Sequence, residues 1–208
     1  MKLYNRHILP HLVHIACSQR HVMRQRAKVI PLAYGIVLEV GLGTGLNLPF
    51  YNARNVKKVW GLDPSLEMIG RAREKARSVN FDVELIISPG EEIPLDSQSV
   101  DTVVVTYTLC TILEVKHAMK EMARVLKPSG ELIFCEHGAA PDVSVRRFQN
   151  FINPVWKSVS GGCHLNRDIP ELIANGDFRI KGLQATYIPG WRPASFIYWG
   201  TAKLTASR

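Results

Sequence analysis

The sequence predicts an α/β fold built on a doubly wound, mainly parallel sheet with helices on both faces. Apolar segments of strand length alternate with amphipathic helical segments through the middle of the 208-residue chain. The first of these strands runs into three glycines at alternate positions, Gly41, Gly43 and Gly45, and the next strand ends in Asp63. Glycine turns and acids at successive strand ends are typical of a ligand site at the edge of such a sheet.

Composition is ordinary for a globular protein, with 46% hydrophobic and 21% charged residues. We find no apolar run of about 18 residues, so no membrane-spanning helix is predicted, and no secretory signal is visible. The four cysteines are scattered, with no C-x-x-C pair. The sequence therefore predicts neither a disulfide framework nor a zinc site, and we expect a reducing, cytoplasmic compartment.

Residues 1–34 are predicted to form a basic helical cap. No acid precedes Glu39, whereas six Lys and Arg residues do, out of a net charge of +8. This asymmetry indicates an anionic ligand or a peripheral contact with an anionic membrane, although a solvated helix face explains it equally well. Basic residues are not interleaved with aromatic ones, so nucleic acid is not an expected partner. His7, His11 and His14 share one helical face, and no metal site is expected there because no acid lies nearby.

The remaining elements follow in order, with no linker that would divide the chain. We therefore expect a single domain, with a cap (1–34), a cofactor-binding half (35–137) and acceptor-side helices with a terminal hairpin (138–208). A helix start is predicted within 46–51 and a turn at 128–130. The predicted strands are 36–40, 56–62, 83–87, 100–106 and 131–135, the helices are 65–76, 114–126, 143–159 and 168–174, and the antiparallel edge hairpin is 179–188 with 196–204.

The glycine turn selects among nucleotide ligands. Its pattern is G-x-G-x-G, and Glu39 stands two residues before it. A carboxylate there repels a pyrophosphate and suits a cationic amino group, which favours S-adenosylmethionine over a dinucleotide. Asp63 lies where an acid can accept hydrogen bonds from a ribose diol. Glu91, after the third strand, can accept from an adenine amino group, and Thr106 ends the fourth strand.

The chain resembles the class I S-adenosylmethionine-dependent methyltransferases. Four segments carry the resemblance: VLEVGLGTG, GLDPS, GEEIPLDSQSVDTVVV and EMARVLKPSGELIFCEH. The resemblance implies a Rossmann-like seven-stranded sheet with S-adenosylmethionine as the methyl donor. Tyr4, in the cap, is expected to reach the carboxylate of the cofactor. The other implied cofactor residues are Glu39, Gly41, Leu42, Gly43, Thr44, Gly45, Asp63, Pro64, Met68, Gly90, Glu91 and Thr106.

The last third of the chain resembles the alkyl thiol S-methyltransferases, through EH at 136–137, NPVW at 153–156 and GGCHLNR at 161–167. Phospholipid and ubiquinone/menaquinone methyltransferases share the cofactor half, and GTGLNLPFY resembles the phospholipid enzymes as well. This resemblance implies a small thiol or sulfide as acceptor. A phospholipid headgroup amine, a quinone precursor and a non-enzymatic, cofactor-binding regulator remain alternatives.

Two residues are candidates for taking a proton from the acceptor: Glu92, close to the expected cofactor, and His137, at the end of the fifth strand. Cys110 is interpreted as packing, because direct methyl transfer needs no covalent enzyme intermediate. Arg167 is expected to be structural, and Phe151 to pack in the core. The predicted acceptor pocket consists of Tyr107, Phe148, Trp156, His164 and Trp191.

Overall fold

A computed structural model describes residues 8–205. The helices within this range are α1 (Leu9–Cys17), α2 (Arg20–Val29), α3 (Leu66–Arg77), α4 (Val115–Val125), α5 (Val143–Val159) and α6 (Ile169–Ala174). The strands are β1 (Gly35–Val40), β2 (Val56–Leu62), β3 (Asp82–Ile86), β4 (Val100–Thr106), β5 (Leu126–His137), β6 (Phe178–Tyr187) and β7 (Phe196–Leu204).

The strands of the described range form one seven-stranded sheet in the order β3-β2-β1-β4-β5-β7-β6. The first five are parallel, and β7 pairs antiparallel with both β5 and β6. The central strands carry apolar side chains on both faces, as helix-covered parallel strands must, and Leu38 and Val104 are fully buried in separate core clusters on either side. The predicted fold class is confirmed.

Two local expectations were wrong. Residues 46–51 form only a single 3₁₀ turn, Leu48–Phe50, where an α-helix start was expected. The predicted turn at 128–130 lies inside β5, because strand pairing jumps from Leu126 to Glu131 while the partner β4 advances only from Val100 to Thr102. The Pro-Ser-Gly sequence thus bulges out of a continuous strand rather than preceding a new one.

Two of the predicted helix starts, at Ser65 and Asp168, are confirmed by their hydrogen bonds. The Ser65 hydroxyl accepts from the Met68 amide at 3.3 Å, and the Asp168 carboxylate accepts from the Glu171 amide at 3.2 Å. Both are N-caps, which satisfy amides that have no partner within the helix. α3 therefore starts three residues after Asp63, which leaves Asp63 in the short connection that follows β2.

The described part of the cap, from residue 8 onward, contains two α-helices that pack differently. α2 is integral to the fold, since Val29 and the following Ile30 are buried in the core. α1 is amphipathic, with Leu12 and Ile15 about half exposed on its outer side. Within residues 8–205, no helix is both long enough and apolar enough to cross a bilayer.

A buried polar network fixes the segment that follows β1. The Glu39 carboxylate accepts hydrogen bonds from Asn47 Nδ2 at 2.9 Å and from the Tyr51 hydroxyl at 2.7 Å. Asn47 also donates to the Thr106 hydroxyl at 2.9 Å, and Arg26 Nη1 donates to both Asn47 Oδ1 and Thr106 Oγ1, at 2.8 and 2.6 Å. The network therefore joins α2, β1, the glycine turn and the end of β4.

The first prediction concerns the pH dependence of stability. Burial raises the pKa of Glu39 to about 7, even though hydrogen bonds from Tyr51 and Asn47 and the charge of Arg26 lower it. Between the ordinary pKa and this value, the folded chain binds the proton that the unfolded chain has released, so stability is lost as pH rises. We expect the unfolding free energy of the wild type to fall by about 3 kcal/mol relative to Glu39→Gln from pH 4.5 to 7.5.

Urea unfolding across this pH range measures the difference. Glu74→Gln, on the exposed face of α3, is the matched control and is expected to follow the wild type. Parallel pH profiles for the wild type and Glu39→Gln would contradict the buried, protonated carboxyl.

Candidate active site

Two adjoining cavities lie at the edge where the parallel strands end. One, of about 440 Å³, has mixed polar and apolar walls around the glycine turn, and we call it the polar cavity. The other, of about 560 Å³, has almost wholly apolar walls, and we call it the apolar cavity. They share wall residues from α1 and from the segments after β4 and α5, namely Leu9, Val13, Cys17, Tyr107, Thr111 and Ser160.

The glycine turn needs residues that adopt positive φ. Gly41, Gly43 and Gly45 have φ of 73°, 58° and 71°. A Cβ on Gly41 would come within 2.2 Å of the Thr108 hydroxyl oxygen, so a side chain at this position collides with the segment after β4. A Cβ on Gly43 would meet no atom closer than 4.0 Å, so only its backbone conformation demands glycine.

Asp63 holds the turn in place from the neighbouring strand. Its carboxylate accepts from the Gly43 amide and from the Ser65 amide, each at 2.9 Å, and it lines the polar cavity. Burial raises the pKa of Asp63, and the two amide hydrogen bonds lower it. Each oxygen keeps a second lone pair for a ligand hydroxyl.

Most of the predicted cofactor residues come together in the wall of the polar cavity. Glu39 and Gly45 are outside this wall: the carboxylate of Glu39 is satisfied by Asn47 and Tyr51, and Gly45 packs under the turn against Leu48 and Ala72. Tyr4 lies outside the described residues. The predicted residues in the wall are Gly41, Leu42, Gly43, Thr44, Asp63, Pro64, Met68, Gly90, Glu91 and Thr106.

Among the residues that the cap contributes to the wall of the polar cavity, two are polar and were not assigned to the site by the sequence analysis: His14 and Arg26. His14 Nδ1 lies 2.8 Å from the Thr44 hydroxyl, which ties α1 to the glycine turn. Arg26 is buried, and its Nε has no hydrogen-bond partner within residues 8–205. Helical spacing could have indicated that Arg26 is buried, because Arg26 lies on the same face of α2 as the apolar residues Val22 and Val29. A buried cation with a free donor beside a cavity is suited to an anionic ligand group.

Aromatic side chains form one side of the apolar cavity. Tyr107, Trp156 and Trp191 line it, as expected, and the rings of Trp156 and Trp191 lie 5.3 Å apart between centroids. Phe148 is not in the wall but packs edge-on against Trp191 from outside. Phe151 is 80% exposed, so the expectation that it packs in the core was wrong.

Tyr107 is a strained wall residue shared by both cavities. Its φ of 56° is unusual for an aromatic residue, and it directly follows β4. The Arg26 guanidinium lies 5.0 Å from the centre of its ring. Strain of this kind persists only where the surroundings hold it, and here it directs an aromatic ring to the boundary between the cavities.

The segments after β4 and α5 are bound together beside the apolar cavity. Arg167 donates to the carbonyls of Leu109 and Ile112, which supports its structural interpretation. The His164 amide donates to the Cys110 carbonyl at 2.8 Å, but the His164 side chain lines neither cavity. His164 therefore joins the two segments through its backbone instead of forming the pocket.

Of the two candidate catalytic residues, only His137 reaches a cavity. Glu92 is exposed and lies outside both cavity walls, whereas the preceding Glu91 lines the polar cavity. His137 is buried in the wall of the apolar cavity at the end of β5. We therefore do not retain Glu92 as a catalytic candidate.

His137 belongs to a buried cluster with Cys110 and Cys163, in which all three ligand atoms lie within 4.8 Å of one another. Its Nε2 lies 3.2 Å from Cys163 Sγ. The hydrogen bond from Cys110, together with His137, lowers the pKa of Cys163 against the effect of burial. Burial lowers the pKa of His137, but Cys163 and Glu136 outweigh it, and the pKa is raised. Cys110, which the sequence analysis interpreted as packing, is buried and is one of the three residues of this cluster.

In comparisons with known proteins, the matching family model and the similar proteins described below are all methyltransferases. A family model described as a methyltransferase domain matches residues 38–134. The rat thiol S-methyltransferase TMT1B is 32% identical over 77% of this chain, and the match spans 64% of the rat protein, less than two thirds of its length. The phosphatidylethanolamine N-methyltransferase of Cereibacter sphaeroides is 35% identical over 65% of this chain and 69% of that protein.

Solved structures show the same fold. A protein from Methanosarcina mazei described as an S-adenosylmethionine-dependent methyltransferase aligns with a TM-score of 0.66 over 83% of this chain and 93% of that chain, at 20% identity. The glycine turn, the acid after β2, the antiparallel β7 and these sequence relatives converge. The chain belongs to the class I S-adenosylmethionine-dependent methyltransferases.

Proposed function

We propose that this enzyme methylates the sulfur of an apolar thiol that occupies the apolar cavity. The observation that carries the proposal is a second, apolar cavity that shares a wall with the polar, cofactor-sized one. Its volume of about 560 Å³ exceeds what hydrogen sulfide or methanethiol fills, so a thiol with an alkyl or aromatic group fits better. Similarity to the thiol S-methyltransferases of mammals supports the same acceptor class.

The polar cavity offers a partner for each end of S-adenosylmethionine. We assign the ribose diol to Asp63, whose carboxylate oxygens retain acceptor capacity, and the adenine to the side formed by Met68 and Glu91. We assign the carboxylate of the methionine moiety to Arg26, because its buried Nε lacks a partner within the described residues. This orientation leaves the sulfonium methyl directed at the wall shared with the apolar cavity.

Methyl transfer then needs alignment and exclusion of water more than a strong base. The thiolate sulfur attacks the methyl carbon in line with the departing sulfonium, and an unperturbed thiol with a pKa of about 8.5 already supplies some thiolate at neutral pH. α1 closes over both cavities through Leu9 and Val13, which keeps the reacting atoms dry. Of the two catalytic candidates, Glu92 and His137, His137 is the one that lines the apolar cavity, where we place the acceptor.

A lipid acceptor is the second candidate, favoured by exposed apolar side chains at the mouth of the apolar cavity. Leu12, Val159 and Trp191 are each about half exposed there. The similarity to a phosphatidylethanolamine N-methyltransferase points to the same possibility. Under this alternative, the basic cap and the apolar rim would contact an anionic membrane while the acceptor enters from the bilayer.

The second prediction tests the ribose assignment. Asp63→Ala should weaken S-adenosylmethionine binding at least about tenfold, because a charged acceptor for two hydroxyls is lost. Calorimetric titration measures the change. Asp82→Ala, at the start of the adjacent β3 and on the opposite edge of the sheet, should bind like the wild type. Unchanged affinity in Asp63→Ala would refute the assignment.

The third prediction tests the carboxylate assignment with a matched ligand. Arg26→Gln should weaken binding of S-adenosylmethionine at least about tenfold, since a charge-assisted hydrogen bond is lost. Binding of decarboxylated S-adenosylmethionine should change less than about twofold, because that ligand never makes this contact. Equal losses for both ligands would show instead that Arg26 acts only through the network with Asn47 and Thr106.

The fourth prediction tests the acceptor. With labelled S-adenosylmethionine, kcat/KM should rise about fourfold per added methylene from methanethiol to hexanethiol, because each buried methylene contributes about 0.8 kcal/mol. The matched alcohols should not react. Ala16→Trp, in the wall of the apolar cavity alone, should reduce kcat/KM for hexanethiol at least about tenfold without changing cofactor affinity.

Two controls complete this experiment. Ala27→Trp, on the exposed side of α2 and in neither cavity wall, should behave like the wild type. Phosphatidylethanolamine vesicles and a demethylquinone are assayed in parallel. Turnover of either, with none of any thiol, would overturn the proposal in favour of the lipid or quinone alternative.

A further inference from the structure

We infer that Cys110, His137 and Cys163 form a zinc site whose open fourth position binds the sulfur of the acceptor. The inference rests on the proposed thiol methylation for the role of the metal, but the site itself stands on geometry. All three side chains are buried, and all three line the apolar cavity. The sequence predicted no zinc site, because these residues are far apart in the chain.

The dimensions of the cluster suit the ion. In a tetrahedral site, Zn–S distances of about 2.3 Å and Zn–N distances of about 2.0–2.1 Å place the ligand atoms about 3.5–3.8 Å apart. The three atoms lie within 4.8 Å of one another, and His137 Nε2 is 3.2 Å from Cys163 Sγ, so shifts of a few tenths of an ångström bring these two to coordination distance. Two thiolates and an imidazole without a carboxylate favour zinc over calcium, magnesium or manganese.

The backbone holds the three ligands independently of any ion. His137 is the last residue of β5 and thus fixed by the sheet. Cys110 and Cys163 lie on the two segments after β4 and α5, which the His164 amide joins directly through the Cys110 carbonyl. Gln149, fully buried in α5, accepts from the Ala140 amide and donates to the Leu165 carbonyl at 3.0 Å, which connects the segment after β5 to the one carrying Cys163.

The two nitrogens of the buried His137 ring have different surroundings. Its Nδ1 is buried and has no hydrogen-bond partner within residues 8–205. A histidine buried with one nitrogen against a sulfur and the other unsatisfied is costly without a further interaction. Coordination through Nε2 would replace the 3.2 Å contact to Cys163 Sγ with a strong bond, but it does not satisfy Nδ1, so the case for the metal stands on the geometry of the cluster.

Two cysteines and one histidine leave one tetrahedral position open, as in catalytic zinc sites with three protein ligands. Here the neighbouring space is the apolar cavity, so a thiol reaches the fourth position. On coordination it loses its proton to the solvent at the mouth of this cavity, beside the half-exposed Trp191, before the reacting atoms are enclosed. The thiolate sulfur then forms a bond to the methyl carbon as the bond from that carbon to the sulfonium sulfur breaks. The products are a neutral thioether, which binds zinc weakly and leaves, and S-adenosylhomocysteine.

The fifth prediction is tested on the full chain, loaded with zinc sulfate and then desalted. Elemental analysis should find about one zinc per chain, and Cys110→Ser, Cys163→Ser and His137→Asn should each weaken zinc affinity at least about tenfold, as measured by competition with a chromophoric chelator. Cys135→Ser, a buried cysteine two residues before His137 and outside the cluster, is the matched control and should retain zinc.

Cobalt substitution of the unaltered protein supplies a readout that does not depend on variants or on activity. It should give the intense visible bands of four-coordinate cobalt bound to thiolate, and hexanethiol should shift them. Protein that retains no more zinc than Cys163→Ser, or that contains a Cys110–Cys163 disulfide, would overturn the site. Bound zinc with no spectral response to hexanethiol would overturn its role with the acceptor, and zinc binding without thiol turnover would refute only the proposed function.

Discussion

The hydrogen-bonded network around Glu39 is the constraint on which the rest of the site depends. A buried carboxyl group at the penultimate position of β1 accepts from Asn47 and Tyr51, so the seven residues between Glu39 and Asn47 that carry the glycine turn are held at both ends. Thr106 and Arg26 extend the same network to β4 and to the cap. Strand ends, glycine turn and α2 are therefore positioned by one set of bonds.

Two cavities follow from this arrangement. The turn and Asp63 form a polar space, whereas the segments after β4, β5 and α5 enclose an apolar one, and α1 and Tyr107 border both. A cofactor and an acceptor can thus occupy separate environments with only the reacting atoms in common. Adjacent binding of this kind is what an in-line transfer needs, because most of its advantage over the reaction in water comes from alignment.

Local sequence signals predicted the sheet and most of the polar cavity. Alternation and capping residues located β2, β4 and α5 to the residue, since these elements depend on their own side chains. Contacts between distant segments were not predictable. Arg26 was interpreted as part of a charge run, Glu39 as a ligand contact and Cys110 as packing, because burial, hydrogen-bond partners and the distance from Cys110 to Cys163 are properties of the folded chain. The prediction that Glu92 is catalytic was wrong because it relied on the position of Glu92 next to Glu91 in the sequence. In the folded chain only Glu91 lies in the cavity wall.

The central claim is that cofactor and thiol occupy adjoining cavities that meet near Leu9, Val13 and Tyr107. A crystal structure with S-adenosylhomocysteine and hexanethiol tests this most directly. The account predicts the ribose against Asp63, the cofactor sulfur at the shared wall, and the thiol in the apolar cavity with its sulfur beside His137. A thiol bound elsewhere, or a cofactor sulfur directed away from the apolar cavity, would contradict it.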